Sequence, residues 1–279
     1  MELIIVRGGG DLASGIVHRL FSAGFKTLIL ETERPSAIRR QVSFCEAVYD
    51  GKTQIEGLTA ELVNDAADIE KVFDRGNIPV MVDPEGRSIN KLQADVLVDA
   101  MIAKKNLGTH KDMARLVIGV GPGFTAGDDV DVVIETMRGH NLARIITEGS
   151  ALPNTGIPGN IGGFTKERVI HAPKKGVIKN IKAIGDTVEA GEEIAIIYDD
   201  MNEKGQFLGE GCSVKAEITG IIRGLIRDSY QFDKGFKIAD IDPRESELAN
   251  CFTISDKARS IGGSVLEVVC AFAFNNKKY

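Results

Sequence analysis

The stretch "LIIVRGGGDLASGIVHRLFSAG", residues 3–24, decides how the chain is read. Leu3 to Val6 form an apolar run of buried-strand length, and Leu12, Ile16 and Leu20 recur at helical spacing beside Ala13, Val17 and Phe21. Between strand and helix, Gly8, Gly10 and Ala13 fit G-x-G-x-x-(G/A), the turn of a dinucleotide-binding unit. Two readings are open. Gly8, Gly9 and Gly10 either present a helix N-terminus to a phosphate or simply make the tight turn from strand to helix. Asp11 opens the helix, where it can cap free N–H groups and would repel an incoming phosphate. Arg7 can offset that charge or pair with Asp11.

Working outward, Thr27 to Leu30 read as a second strand ending at Glu31. Glu31 stands where dinucleotide-binding folds place the acid that bonds a ribose hydroxyl. "NDAADIEKVFDRG" (64–76) then reads as a helix, and "IPVMVD" (78–83) and "DVLVDA" (95–100) as strands. This alternation predicts an α/β fold with a doubly wound sheet, a Rossmann-like unit over residues 1–112. Arg34, Arg39 and Arg40 follow the second strand, either as an anion clamp or as a solvated charged face.

The 279 residues exceed one typical domain, and 43% hydrophobic with 27% charged residues is a globular balance. A net charge of -6 and a pI near 5.4 argue against nucleic acid or an anionic membrane as the main partner, while leaving room for a local basic pocket. Cys45, Cys212, Cys251 and Cys270 are widely separated and form no C-x-x-C pair. Their spacing supports neither a zinc site nor a disulfide framework, and no metal site is expected. Cys270, in an apolar run, is expected in the core. No apolar run reaches membrane-spanning length, and the N-terminal one is too short for a signal peptide, so a cytoplasmic location is expected.

Residues 117–159 carry the most unusual composition, within a Gly-rich segment expected over 113–168. "LVIGV" runs into Gly119, Gly121, Gly123 and Gly127, a loop able to turn N–H groups toward an anion. Alternation in "DVDVVIET" predicts Asp129, Asp131 and Val133 on one strand face. Glu135, Arg138 and His140 can supply a base, an anion holder and a proton shuttle. Equally, Arg138 and Glu135 can form a plain ion pair, with His140 an ordinary loop residue.

An internal repeat follows. Residues 172–197 and 216–241 align at an offset of 44, matching at Ala172/Ala216, Gly176/Gly220, Ile178/Ile222, Gly191/Gly235, Ile194/Ile238 and Ile197/Ile241. Each copy reads as short strands with a glycine-marked turn. The pair resembles the barrel-sandwich hybrid of lipoyl and biotinyl carriers, whose G-D-x-V-x-x-G turn is matched from Gly185 to Gly191; this places such a module over 169–245. The connector between the copies lacks the carriers' attachment motifs. Lys204 is its nearest lysine, and covalent lipoyl or biotin is not expected. The tail 246–279 starts near Cys251, a reactive thiol if its neighbours are electropositive. It continues through Ser255, Asp256, Lys257 and Arg259, which can cap a helix or hold an anion. An apolar helix carrying Val265, Leu266, Val268, Val269 and Phe272 follows, expected to dock on the other units.

Taken together, "RGGGDLASG", "RPSAIRRQVSFCEAV", "GPGFTAGDDVDVVIETMRGHNLARII", "PNTGIPG", "DIDPR" and "CFTISDKARSIGG" resemble the selenium-dependent molybdenum hydroxylase system protein family. The first unit is also similar to the Rossmann-like domain of xanthine dehydrogenase accessory proteins. The resemblance implies an accessory or maturation role for a molybdenum hydroxylase client rather than the hydroxylase reaction itself, since no iron–sulfur cysteine pattern is present. It implies a phosphate-bearing ligand, molybdenum cofactor or a nucleotide, against Arg7, Gly8, Gly9, Gly10, Glu31, Gly121, Gly123 and Arg138. Glu135, His140 and Cys251 are the candidates for any chemistry, the last two toward sulfur or selenium. The loop and Glu31 also fit a second expectation, an NAD(P)-dependent oxidoreductase acting on a small molecule.

Overall fold

The computed structural model describes residues 3–156 and 159–275, and the chain divides into two compact units. The first comprises Met1–Pro35, Val42–Thr155 and Ile254–Tyr279; the second comprises Ser36–Gln41 and Gly156–Thr253. Ile157 and Pro158 of the "PNTGIPG" motif lie outside the described residues.

The first unit is built on a nine-stranded sheet. In chain order its strands are β1 (Ile4–Arg7), β2 (Thr27–Glu31), β3 (Lys52–Ile55), β4 (Leu58–Val63), β5 (Ile78–Val82), β6 (Val96–Asp99) and β7 (Leu116–Val120). β8 (Thr125–Ala126) pairs outside this sheet with β11 (Gly149–Ser150), while β9 (Val132–Ile134) and β10 (Ile145–Ile146) complete it. The spatial order is β10-β9-β7-β6-β1-β2-β5-β4-β3. From β4 to β9 all pairings are parallel, and the two end strands β3 and β10 are antiparallel to their neighbours. The chain leaves β1 toward β2 on one side and later returns to its other side as β6. Strand direction of travel therefore reverses between β1 and β6, the topological switch point at which open α/β sheets take ligands.

Alternation along β1 divides the core. Ile4 and Val6 join one apolar layer with Ile16, Leu20, Ile261 and Val265, whereas Ile5 joins the opposite layer with Leu28, Leu97 and Val117. The first layer is covered by two helices, α1 (Asp11–Ser22) and the C-terminal α5, whose 20 residues run from Asp256 to Asn275; between them in the chain lie the short helices α2 (Ala47–Asp50), α3 (Ile69–Asp74) and α4 (Ile89–Leu92). The helix expected over 64–76 is shorter, a 3-10 turn at Ala66–Asp68 leading into a helical turn at Ile69–Asp74, with the Asp65 carboxylate accepting from Ala67 N–H. The β3–β4 hairpin was not anticipated. Its turn places Glu56 (φ 44°) and Gly57 (φ 86°) at positive φ, as a two-residue hairpin turn demands.

The second unit holds β12 (Val169–His171), β13 (Gly176–Asn180), β14 (Thr187–Val188), β15 (Glu193–Tyr198) and the hairpin strands β16 (Asp200–Met201) and β17 (Phe207–Leu208). It continues with β18 (Cys212–Lys215), β19 (Gly220–Leu225), β20 (Gln231–Phe232) and β21 (Lys237–Asp242). Two four-stranded antiparallel sheets result, β12-β21-β19-β14 and β18-β15-β13-β20. Exchanging each strand for its repeat mate converts one order into the other. The hydrogen bonds obey the same exchange: Gly191 N–H donates to Ala216 O and Gly235 N–H to Ala172 O, both at 2.8 Å. Gly185 N–H likewise donates to Ile222 O and Ser229 N–H to Ile178 O, again both at 2.8 Å. Each copy thus completes the turns of the other, and neither closes its backbone bonds alone.

The same symmetry fixes two glycines. A Cβ on Gly176 would lie 2.0 Å from Tyr198 O, and one on Gly220 would lie 2.3 Å from Asp242 O, its repeat-related counterpart. Gly176→Ala and Gly220→Ala are each expected to destabilise the second unit by at least about 2 kcal/mol, as overpacking against rigid backbone does. Urea denaturation followed by circular dichroism measures this. Equal stability of either variant with the parent chain would contradict the packing described.

Candidate functional site

At the switch point the glycine turn is held on three sides. Gly8 adopts φ +96°, and a Cβ there would press on Ala100 O and Met101 Cα at 3.1 Å, so β1 leaves the sheet tight against the chain following β6. Gly9 N–H donates to Glu31 Oε2 at 2.8 Å, and Glu31 Oε1 accepts from Thr32 N–H at 2.7 Å. Gly9 O accepts from Cys45 N–H at 2.9 Å and from Ser14 Oγ at 3.1 Å. A Cβ on Gly9 would lie 2.9 Å from Cys45 N. Only Gly10 faces open space, with nothing within 4 Å of the corresponding position. Gly10 is also the N-cap of α1 and has no side chain to offer the first turn.

Glu31 is therefore at the end of β2, as the spacing predicts, but its two oxygens are spent on backbone N–H groups. Burial raises its pKa against the lowering effect of the Thr32 and Gly9 bonds. Burial also pushes the Cys45 thiol well up, and the nearby Glu31, Glu46 and Asp11 add to this.

Arg7 does not pair with Asp11. It is buried beneath the turn, where its Nη1 donates to Thr109 Oγ1 at 2.6 Å and lies 3.5 Å from Asp99 Oδ2. Thr109 Oγ1 in turn donates to Asp99 Oδ2 at 2.6 Å, and Arg7 Nη2 donates to Pro84 O at 3.1 Å. Burial raises the Asp99 pKa, opposed by the Thr109 bond and the Arg7 charge. Arg7 consequently stitches the ends of β1 and β6 together from below, and Asp99 neutralises it internally.

The second glycine loop meets the first through one intervening segment. Gly123 (φ +110°) abuts the Lys105 backbone, within 2.7 Å of a Cβ position, just as Gly8 abuts Met101. Gly121 (φ +84°) donates its N–H to Ile134 O at 2.9 Å and packs on Thr136. The segment between them, 100–105, carries exposed Lys104 and Lys105 and holds Ile102 (φ 54°) and Lys104 (φ 64°) at positive φ. For a β-branched isoleucine that conformation is strained. Nothing in the local sequence marks it.

Glu135 is buried, and its carboxylate accepts from Thr136 N–H and Met137 N–H at 2.7 Å and from Leu152 N–H at 2.8 Å. It braces the loop rather than offering a free base. Arg138 pairs with Asp256 through both guanidinium nitrogens, at 2.9 and 3.1 Å, instead of with Glu135. His140 is exposed on the turn that follows.

Helices α1 and α5 cross at glycine. A Cβ on Gly15 would lie 2.7 Å from Ala258 Cβ, and one on Gly262 would lie 2.6 Å from Gly15 O and 3.0 Å from Arg19 Cγ. Ascending residues on one helix meet ascending residues on the other, so the two run parallel and both N-termini reach the same edge of the sheet. Ser255 Oγ caps α5 by accepting from Ala258 N–H at 3.1 Å. Lys257, half-buried on the first turn, has its pKa lowered by burial and by the charge of Arg138, against the pull of Asp11, Glu135 and Asp256. Asp11 and Glu135 thus lie within electrostatic reach of one lysine, a convergence the sequence leaves unstated across more than a hundred residues.

Other candidates fall elsewhere. Arg39 donates to Asn250 O and Thr253 O, and Arg40 Nε to Leu225 O at 2.8 Å, all in the second unit. Arg34 is exposed. Asp129 and Asp131 precede β9 and bind backbone, accepting from Thr125 N–H at 2.9 Å and Val117 N–H at 2.8 Å. Cys251 lies in the second unit, buried; burial raises its pKa despite the charges of Arg223 and Arg39. Cys270 is half-buried rather than a core residue, and Lys204 lies in the turn of the exposed β16–β17 hairpin. Among the described residues, no three His, Cys, Asp or Glu side chains are grouped to hold a metal ion, and no helix is long and apolar enough to cross a membrane.

No protein-family model matches the chain. Over 268 residues, 96% of its length, it is 48% identical to the protein of Escherichia coli (strain K12) described as uncharacterized protein YqeB. The chain spans 47% of that relative's length. Among solved structures, the product-bound ectoine utilization protein EutE (DoeB) from Ruegeria pomeroyi overlays with a TM-score of 0.27 at 11% identity, covering 86% of this chain and 84% of that one. An aspartoacylase family protein from Mesorhizobium loti overlays with a TM-score of 0.27 at 10% identity, covering 87% and 86%. Overlays of that quality establish no shared fold.

The buried pair under the turn gives a test of its role. Arg7→Met leaves Asp99 uncompensated and is expected to cost about 3–5 kcal/mol, whereas Arg7→Met with Asp99→Asn recovers most of that loss. Thermal and urea melts of the two variants measure the difference. Equal losses in both would show that packing, not charge, holds β1 to β6.

Proposed function

We propose that the chain is an accessory protein for the maturation of a selenium-dependent molybdenum hydroxylase, and that its first unit holds a phosphate-bearing ligand at the switch point. The maturation role rests on the resemblance of its motifs. The ligand class rests on one observation: Lys257, on the first turn of α5, lies within electrostatic reach of both Arg138 and Asp11, the first residue of α1. The positive ends of the two helix dipoles and the cations Lys257 and Arg138 attract an anion there, against the opposing charges of Asp11, Glu135 and Asp256. Arg138 is shared with Asp256, but that pair is exposed and worth about 0–1 kcal/mol, so a bound phosphate can displace the carboxylate.

Molybdenum cofactor and a nucleotide are the ligands this reading names, and the hydroxylase client is its partner, in the cytoplasm. The second unit is read as a barrel-sandwich hybrid. Its support is the repeat-exchanged strand order and the mutually completed turns, with no covalent lipoyl or biotin assigned to Lys204. A nicotinamide-dependent oxidoreductase is the weaker reading, because the Glu31 carboxylate already accepts from two backbone N–H groups that hold the turn.

Native mass spectrometry of protein purified from its host, with molybdenum and selenium analysis, is expected to show a retained phosphate-bearing ligand. Gly10→Asp and Lys257→Met are each expected to weaken binding about tenfold or more, about 1.4 kcal/mol. Because only the protonated ammonium attracts the anion, affinity should fall as pH rises through the lowered Lys257 pKa, and Lys257→Met should lose that dependence. Unchanged calorimetric binding of cofactor and nucleotides by both variants would refute the site.

A further inference from the structure

The short segment Ser43–Glu46 is bonded directly to the glycine turn. In a dinucleotide fold the pyrophosphate sits at the helix N-terminus, and the adenosine ribose reaches the acid at the end of the second strand. Here the chain itself packs on the turn beside that acid. Cys45 N–H is bonded to Gly9 O at 2.9 Å, and Phe44 N–H donates to Ser14 Oγ at 2.8 Å while Ser14 Oγ donates to Gly9 O at 3.1 Å. Phe44 and Cys45 are 0% and 1% exposed, and Phe44 belongs to the same apolar layer as Ile16 and Val6. Gly9 is the position that permits this approach, since a Cβ would meet Cys45 N, Cα and Cβ at 2.9–3.2 Å. Glu31 lies under this strap with Cys45 in its electrostatic range.

We infer that the Ser43–Glu46 strap is a specificity element: it occupies the adenosine seat, so the crevice admits the phosphate end of a ligand at Gly10 and excludes an adenosine arm toward β2. The inference rests on the phosphate-binding reading above and sharpens it. The remainder of the ligand must extend over the β6 side, past Met101 and the 102–105 segment. Dinucleotides, and nucleotides whose adenosine lies toward Glu31, are selected against.

The test compares inorganic pyrophosphate, ADP and NAD+ by calorimetry and maps alkylation of native protein by peptide mass analysis. In the parent chain ADP and NAD+ are expected to bind no tighter than pyrophosphate, and Cys45 should resist alkylation while Cys212 and Cys270 react. Ser14→Ala removes the hydroxyl that ties Phe44 to Gly9. In that variant Cys45 should become reactive, and ADP should gain about tenfold over pyrophosphate. ADP binding the parent chain tenfold tighter than pyrophosphate overturns the inference, as does ready alkylation of Cys45 in the parent. A Ser14→Ala chain with a reactive Cys45 and no gain for ADP overturns it too. If no probe binds the parent chain, the phosphate-binding reading fails, whereas the strap stands provided Ser14→Ala binds ADP.

Discussion

The backbone of Gly9 is bonded in both directions, and the organisation of the first unit follows from that. Its N–H fixes the Glu31 carboxylate, and with it the end of β2. Its carbonyl receives Cys45 N–H and Ser14 Oγ, which fixes the strap and the first turns of α1. A side chain at this position is excluded by the strap, so the constraint is steric as well as polar. The three-glycine turn thereby divides its labour. Gly8 lets β1 pass against the chain after β6, Gly9 lets the strap descend, and Gly10 alone remains available to solvent. A motif usually read as one device for phosphate here uses two of its three glycines for close packing.

The second unit solves a different problem by duplication. Strands of two to six residues make a marginal sheet unless another layer covers them. Repeating the segment supplies the second layer with the same sequence pattern. Because Gly191 and Gly235 each donate to the other copy's alanine carbonyl, the turns close only when both copies are present. The deviations from symmetry are then informative. Between the copies the chain makes the β16–β17 hairpin, whereas after the second copy it passes through a 3-10 segment, Glu245–Cys251.

What could be read from the sequence follows from how locally each feature is determined. The β1-turn-α1 unit, the later strands and the C-terminal helix are encoded by periodicity within short windows, and the repeat by direct comparison of two windows. The Ser36–Gln41 excursion into the second unit was not legible: Arg39 and Arg40 look like any charged pair until their carbonyl partners, some two hundred residues away, are known. Glu135 and Arg138 are close in sequence, yet the partners the structure gives them lie elsewhere. Glu135 turned inward to backbone N–H groups and Arg138 outward to Asp256, because burial favours fixed backbone donors and exposure tolerates a solvated ion pair. Lys257 was noticed only as a residue near a helix start. Its proximity to Asp11 arises from the parallel crossing at Gly15 and Gly262, which composition does not announce.

The distribution of charge around the switch point argues for what the site can accept. Arg7 and Asp99 cancel each other in the interior and exert little net field outside. At the open edge the cations are Lys257 and Arg138, and the acids are Asp11, Glu135 and Asp256. Glu135 is already solvated by three N–H groups, so its charge is dispersed into the loop it braces. Asp256 is the exposed counter-ion of Arg138. On the proposed reading it is the carboxylate that a bound phosphate would displace. A phosphate that replaces Asp256 on Arg138 also relieves the like-charge pressure on Lys257, so each contact favours the other. A neutral ligand would gain neither effect, and a ligand with an adenosine arm would meet the strap over Gly9. On the proposed reading, selection by charge at Gly10 and by shape at Gly9 would therefore act on different parts of the same molecule.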